Sequence, residues 1–157
     1  MVAWQVVEIL LALAHAGTGA AWVGSMAYSL FVVQPRLARL LPAATTEDVY
    51  RELAAGNRWR VIGLIATLAL SGAGLAAVPP GVAHRSGWWT ALVVAKVVLL
   101  VAASALFWWV SWRGWPRRIF ALPAELPALQ RRFRHVAVVM CGLVGAAFAL
   151  GVIATHL

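Results

Sequence analysis

The residues with chemistry to offer are few. Glu8, His15 and Lys96 interrupt long apolar runs, His84 and His156 stand at their margins, and Met26, Met140 and Cys141 carry the sulfur donors within them. An ionisable side chain at hydrocarbon depth is expensive to keep there, so each is a functional-site candidate by default. Neutral imidazole is the commonest metal ligand, an ammonium can ligate or neutralise an anion, and thiolate or thioether groups select copper(I). Glu8, His15 and Trp22 are spaced by seven and share one helix face, as do Gly142, Ala149 and His156. Counting helical rise from Arg36, Arg113 and Arg134 puts His15 about 30 Å away, Lys96 about 26 Å and His156 about 33 Å, all in the outer part of the bundle.

Each of these residues also has a plain structural reading. A membrane histidine can be hydrogen-bonding glue between helices, a lysine can snorkel to the surface, and Met or Cys can pack as apolar groups. A histidine and a lysine at one depth on different helices point instead to an outward-facing polar pocket. The ligand-binding set is then His15 and Lys96, with Trp22 on the His15 face; for a bare metal ion it is His15 with His156. Met140 and Cys141 lie only about 10 Å from the arginines, far from His15. No catalytic residue is assigned, because the chain has no paired carboxylates, no Ser/His/Asp order, no phosphate loop and no CxxC.

The elements that must position these residues follow from composition. With 63% hydrophobic and 11% charged residues in a chain of 157, and a mean hydropathy of +0.85, a soluble fold could not cover its surface. Four continuous apolar runs, near 6–33, 60–78, 89–112 and 136–155, each match the roughly 20 residues of helix that a bilayer requires. No period of two suggests a barrel. The expectation is one all-α integral membrane domain over 1–157, an up-down four-transmembrane-helix bundle. The stripes Gly63, Thr67, Ser71, with Gly74 close by, and Gly142, Ala146, with Gly145 and Ala149, are the expected close-approach surfaces.

Arginines set the orientation. Arg36, Arg39, Arg51, Arg58 and Arg60 fall in the first connection and Arg113, Arg117, Arg118, Arg131, Arg132 and Arg134 in the third; the second has only Arg85 and the ends have none. By the positive-inside rule the first and third connections are cytoplasmic and both termini are outside. The net charge of +8 is thereby explained by topology and by contact with anionic headgroups, and no nucleic-acid partner is expected. Pro35 and Arg36 mark an inner boundary. Residues 40–57 read as a short amphipathic inner-loop helix with Thr45, Thr46, Glu47 and Asp48 as cap-like residues, and residues 116–134 read as a second partly helical loop. Val78-Pro79-Pro80-Gly81 stops the second run, and Trp88 and Trp89 open the third. Trp108, Trp109, Trp112 and Trp115 form an inner aromatic belt. No cleavable signal peptide is expected. The two halves share a layout, a helix pair joined by a basic inner loop.

His15 followed by Trp22-Val23-Gly24 and then Pro35-Arg36-Leu37 resembles the first helix of the copper-resistance-D (CopD) domain family. Ala95-Lys96-Val97 after Gly87-Trp88-Trp89 resembles the third helix of that family and of the related HemJ-type protoporphyrinogen oxidases. The likeness spans nearly the whole chain. It implies copper handling at the bacterial inner membrane for the CopD branch. For the HemJ branch it implies haem synthesis and b-type haem, with a first-helix His and a third-helix Lys, here His15 and Lys96. The long interval from Trp22 to Pro35 favours the CopD branch. The cofactor is therefore copper or haem b, and three functions stand open: copper handling or transport, a haem b redox protein such as a porphyrinogen oxidase, or a non-catalytic accessory subunit. A homo-oligomer or a larger membrane complex is compatible with each.

Overall fold

A computed structural model describes residues 2–77, 87–122 and 124–154; within them the chain is helical and has no strand. The elements are α1 (Val2–Tyr28), a π-helical turn (Ser29–Val33), α2 (Gln34–Leu40), α3 (Ala43–Ala54), α4 (Asn57–Ala77), α5 (Gly87–Trp109), a second π-helical turn (Val110–Gly114), α6 (Trp115–Ile119) and α7 (Leu126–Ala154). Four continuous helical stretches, Trp4–Leu40, Asn57–Ala77, Gly87–Ile119 and Leu126–Ala154, are long and apolar enough to cross a membrane. Most of their apolar side chains face outward: Leu13, Phe31, Leu70 and Val101 are all more than three-fifths exposed, a surface suited to lipid rather than water. The chain is accordingly a multi-pass membrane protein. The stop at 78–81, Arg85, His84 and His156 lie outside the described residues.

Two of these stretches run on beyond a proline, because neither Pro35 nor Pro116 ends its helix. In each case a π-helical turn precedes the proline. Gln34 N–H closes on Ser29 O and Trp115 N–H on Val110 O, and the proline follows as the next residue. The wider turn passes the missing donor without a break, and the proline then opens α2 or α6, where its fixed φ suits a first helical turn. The carbonyl next in register after Val110 is Ser111 O, whose donor would have been residue 116. It takes its hydrogen bond instead from Arg58 Nη2 of α4, at 2.6 Å.

This device reveals an internal repeat. A displacement of 81 residues carries Ser29–Val33 onto Val110–Gly114, Pro35 onto Pro116 and Arg36 onto Arg117. The same displacement carries the inward-facing Trp22, Met26 and Leu30 onto Ala103, Phe107 and Ser111. It also carries His15 onto Lys96. In each half the first spanning helix packs on the second, α1 on α4 and α5 on α7, and the halves join where α1 meets α7. The core at that junction is Trp22, Leu68, Ala103 and Val144. Trp22 and Ala103 are 1% and 0% exposed; the indole of one half is matched by a methyl group in the other, which lets equivalent positions meet without a clash.

The connection after the first span is ordered by local chemistry. Leu41 is extended because Pro42 follows it, which ends α2. Pro42 then caps α3, receiving Thr46 N–H at 2.9 Å and Thr46 Oγ1 at 3.0 Å. Thr46 and Glu47 thus lie inside α3 and are buried, rather than serving as its cap. At the other end Gly56 takes φ +72°, the left-handed conformation that glycine adopts freely, and turns the chain into α4.

Candidate functional site

His15 sits midway along α1, half-buried, with its Nδ1 3.0 Å from Ser71 Oγ on α4. Ser71 makes a short hydrogen bond to Thr67 O one turn earlier. A hydroxyl has one hydrogen to give, and the short bond claims it, so Ser71 Oγ accepts from the imidazole. Nδ1 of His15 is thereby engaged by Ser71, the kind of partner that orients a metal-binding imidazole. The ring can lie this close because residue 72 is glycine: a Cβ there would stand 3.1 Å from His15 Cε1.

The second half repeats the arrangement with another side chain. Lys96 on α5 is half-buried, and a Cβ on Gly151 of α7 would stand 3.2 Å from Lys96 Nζ. Among the described residues no carboxylate forms an ion pair with Lys96. His15 and Lys96 thus hold equivalent positions in the two halves, each approached by a glycine of the helix it packs on. Ser71, the residue that orients the imidazole, was visible in the sequence only as a member of a small-residue stripe.

Trp22 lies two turns from His15 toward the arginine end, in the sealed layer with Leu68, Ala103 and Val144. It is a wall beneath the pair rather than a surface open to a ligand. Glu8, on the same face of α1, is exposed. Met26 and Met140 pack against the Trp22 layer, and Cys141 is a half-buried free thiol. Among the described residues no three His, Cys, Asp or Glu side chains converge as a metal cage. The glycines that need their smallness are Gly19, Gly72, Gly74, Gly114 and Gly151, whereas Gly63, Gly142 and Gly145 have nothing within 4 Å of a built Cβ. Of the expected positions, Ser71 and Gly74 are close approaches to α1, while Gly63, Gly142 and Gly145 are not.

At the arginine end lies a network that residue types did not announce. Arg118 Nε and Nη2 donate to Glu47 Oε1 and Oε2, each at 2.7 Å, and Gln130 Nε2 adds a third bond to Oε2 at 3.2 Å. The pair joins α3 to α6 and α7, with both side chains less than a tenth exposed. The Arg118 guanidinium is ringed by Phe133 at 5.1 Å and by Tyr50 and Trp115 at 5.4 Å. Its hydrogen bonds hold the Glu47 carboxyl below the usual glutamate range against the opposing effect of burial. Burial pushes the Tyr50 hydroxyl up, so it stays neutral. This cluster locks the amphipathic helix α3 to the third connection. Nothing in it is left free to bind a ligand, and its role is architectural.

Compared with known proteins, the chain matches no family model, no curated protein and no solved structure.

Proposed function

We propose that the chain is a CopD-like protein of the bacterial inner membrane, an up-down four-helix bundle with both termini outside, whose His15 and Lys96 hold a b-type haem near the outer face. The observation that carries this reading is the His15 to Ser71 hydrogen bond, which orients the ring of a residue that would hold the haem iron. Metal-bound histidines are oriented in this way by a partner on the other ring nitrogen. Lys96 supplies either a second nitrogen or a counter-charge for carboxylate groups of the cofactor. The donor set, one imidazole and one amine with the thioethers packed elsewhere, suits haem iron better than a copper(I) path of soft ligands. Bound haem would provide one-electron redox chemistry. The chain would provide the imidazole nitrogen of His15, the amine of Lys96 and, through the Trp22 layer, a seal toward the arginine end.

The protein purified in mild detergent and reconstituted with haemin is expected to show a Soret band that His15→Ala abolishes and Lys96→Ala shifts or weakens. No band in any preparation of the native protein overturns the reading.

Copper handling stays the second reading, favoured by the CopD-like interval between Trp22 and Pro35. On that reading His15→Ala lowers copper accumulation in cells and no Soret band forms; unchanged accumulation counts against it.

A further inference from the structure

The face of α5 opposite the halves' junction carries a second feature. Ala105, Trp108, Trp109, Trp112 and Arg113 line a groove of about 490 Å³ that runs along the helix toward its arginine end. Trp108 and Trp112 stack face to face with ring centroids 3.8 Å apart and planes 12° apart, forming one aromatic pile. Trp108 is 58% exposed and Trp112 38%. Two of the indoles are fixed by guanidinium groups: Arg58 lies 4.5 Å over the Trp112 ring and Arg132 4.9 Å over Trp109. Ala105 forms a low floor. Arg113 closes the end, and among the described residues it has no carboxylate partner.

We propose that this groove is a binding site for an anionic phospholipid, with its acyl chain laid along Ala105, Trp108 and Trp112 and its phosphodiester held by Arg113. Three observations choose the occupant. The groove lies on the outer surface of a helix long and apolar enough to cross a membrane, so what fills it in a bilayer is a lipid. Its length is apolar and aromatic while its end is cationic, and that end falls with the other arginines at headgroup level. Trp112 and Trp109 are each held by a guanidinium over the ring, so the aromatic lining is formed before the lipid arrives. The proposal is independent of the haem reading, because the groove lies at the opposite end of the spans from His15 and Lys96.

The test uses the full chain in phosphatidylcholine vesicles containing a minor fraction of either brominated phosphatidylglycerol or brominated phosphatidylcholine, with tryptophan quenching as the readout. One arginine at the headgroup level enriches an anionic lipid about fivefold beside it, so brominated phosphatidylglycerol is expected to quench more strongly at equal content. Arg113→Gln should remove most of that difference. Ala105→Phe, which fills the floor and leaves the charge in place, should reduce quenching by both lipids. Equal quenching of the native protein by the two lipids overturns the proposal, as does a difference that survives Arg113→Gln. Unchanged quenching in Ala105→Phe overturns it too, even where Arg113→Gln fails to fold.

Discussion

The imidazole of His15 is bound through Nδ1 to Ser71 Oγ at 3.0 Å, and Ser71 in turn gives its hydrogen to the backbone of its own helix. The relay is one-directional: the serine can accept from the ring but has nothing left to donate. It joins α1 to α4 and orients the ring.

Ser71→Ala removes the acceptor while leaving His15 in place. Loss of such an orienting partner typically weakens metal binding about 10- to 100-fold. The expected outcome is a haemin titration displaced by that factor, with the helical content unchanged by circular dichroism. Ser71→Thr keeps the hydroxyl and should bind within a few-fold of native.

Gly151 offers an independent test of the other half. A Cβ there would meet Lys96 Nζ at 3.2 Å, a contact that the end of a flexible chain can relieve by moving. Gly151→Ala should therefore fold normally and change the cofactor spectrum or its affinity. Gly151→Leu should displace the ammonium and match Lys96→Ala in the same titration. Identical titrations for Gly151→Leu and native protein would remove Lys96 from the site.

The spans were legible because lipid imposes a blunt demand, roughly 20 apolar residues in a row, which a single sequence displays directly. An expected depth for His15 and Lys96 follows in the same way, since helical rise converts residue number into distance. What stayed hidden depended on pairing across the fold. Glu47 and Arg118 are 71 residues apart and individually look like a cap residue and a topology charge; only tertiary packing makes them partners. The π-helical turns were hidden because a proline ordinarily announces a helix end. The repeat was hidden because its equivalent residues differ in type: His15 matches Lys96, and Trp22 matches Ala103. Burial pattern, not identity, carries the correspondence.

The Glu47 and Arg118 pair makes a stability prediction with a pH signature. Removing one partner of a buried pair strands the other charge and costs about 3–5 kcal/mol. Glu47→Ala and Arg118→Ala should each lower the unfolding temperature in detergent markedly. The double variant Glu47→Leu with Arg118→Met should recover much of the loss, since an apolar pair leaves no stranded charge. Because the Glu47 pKa is depressed in the folded protein, its contribution is complete above the free-glutamate value of about 4.3 and disappears as pH falls through the lower folded value. Native stability should then fall on acidification below that point, and the apolar double variant should show a smaller decline.

Arg58 makes the last prediction. Its Nη2 serves Ser111 O because residue 116 is proline and offers no N–H. Ser111 is 8% exposed, so without Arg58 its carbonyl is left in a largely dry place with no donor, a loss of about 1–3 kcal/mol. The stacking of Arg58 on Trp112 adds about 0.5–1 kcal/mol to that loss. Arg58→Ala should therefore destabilise the protein, and Pro116→Ala should partly rescue it by returning an N–H that can reach Ser111 O. In the presence of Arg58 the same Pro116→Ala change should gain little, because the carbonyl already has its partner. A double-mutant cycle on thermal unfolding separates the two cases: additive effects would mean that Arg58 acts only through Trp112, whereas rescue confined to the Arg58→Ala background identifies the arginine as the substitute for proline's missing donor.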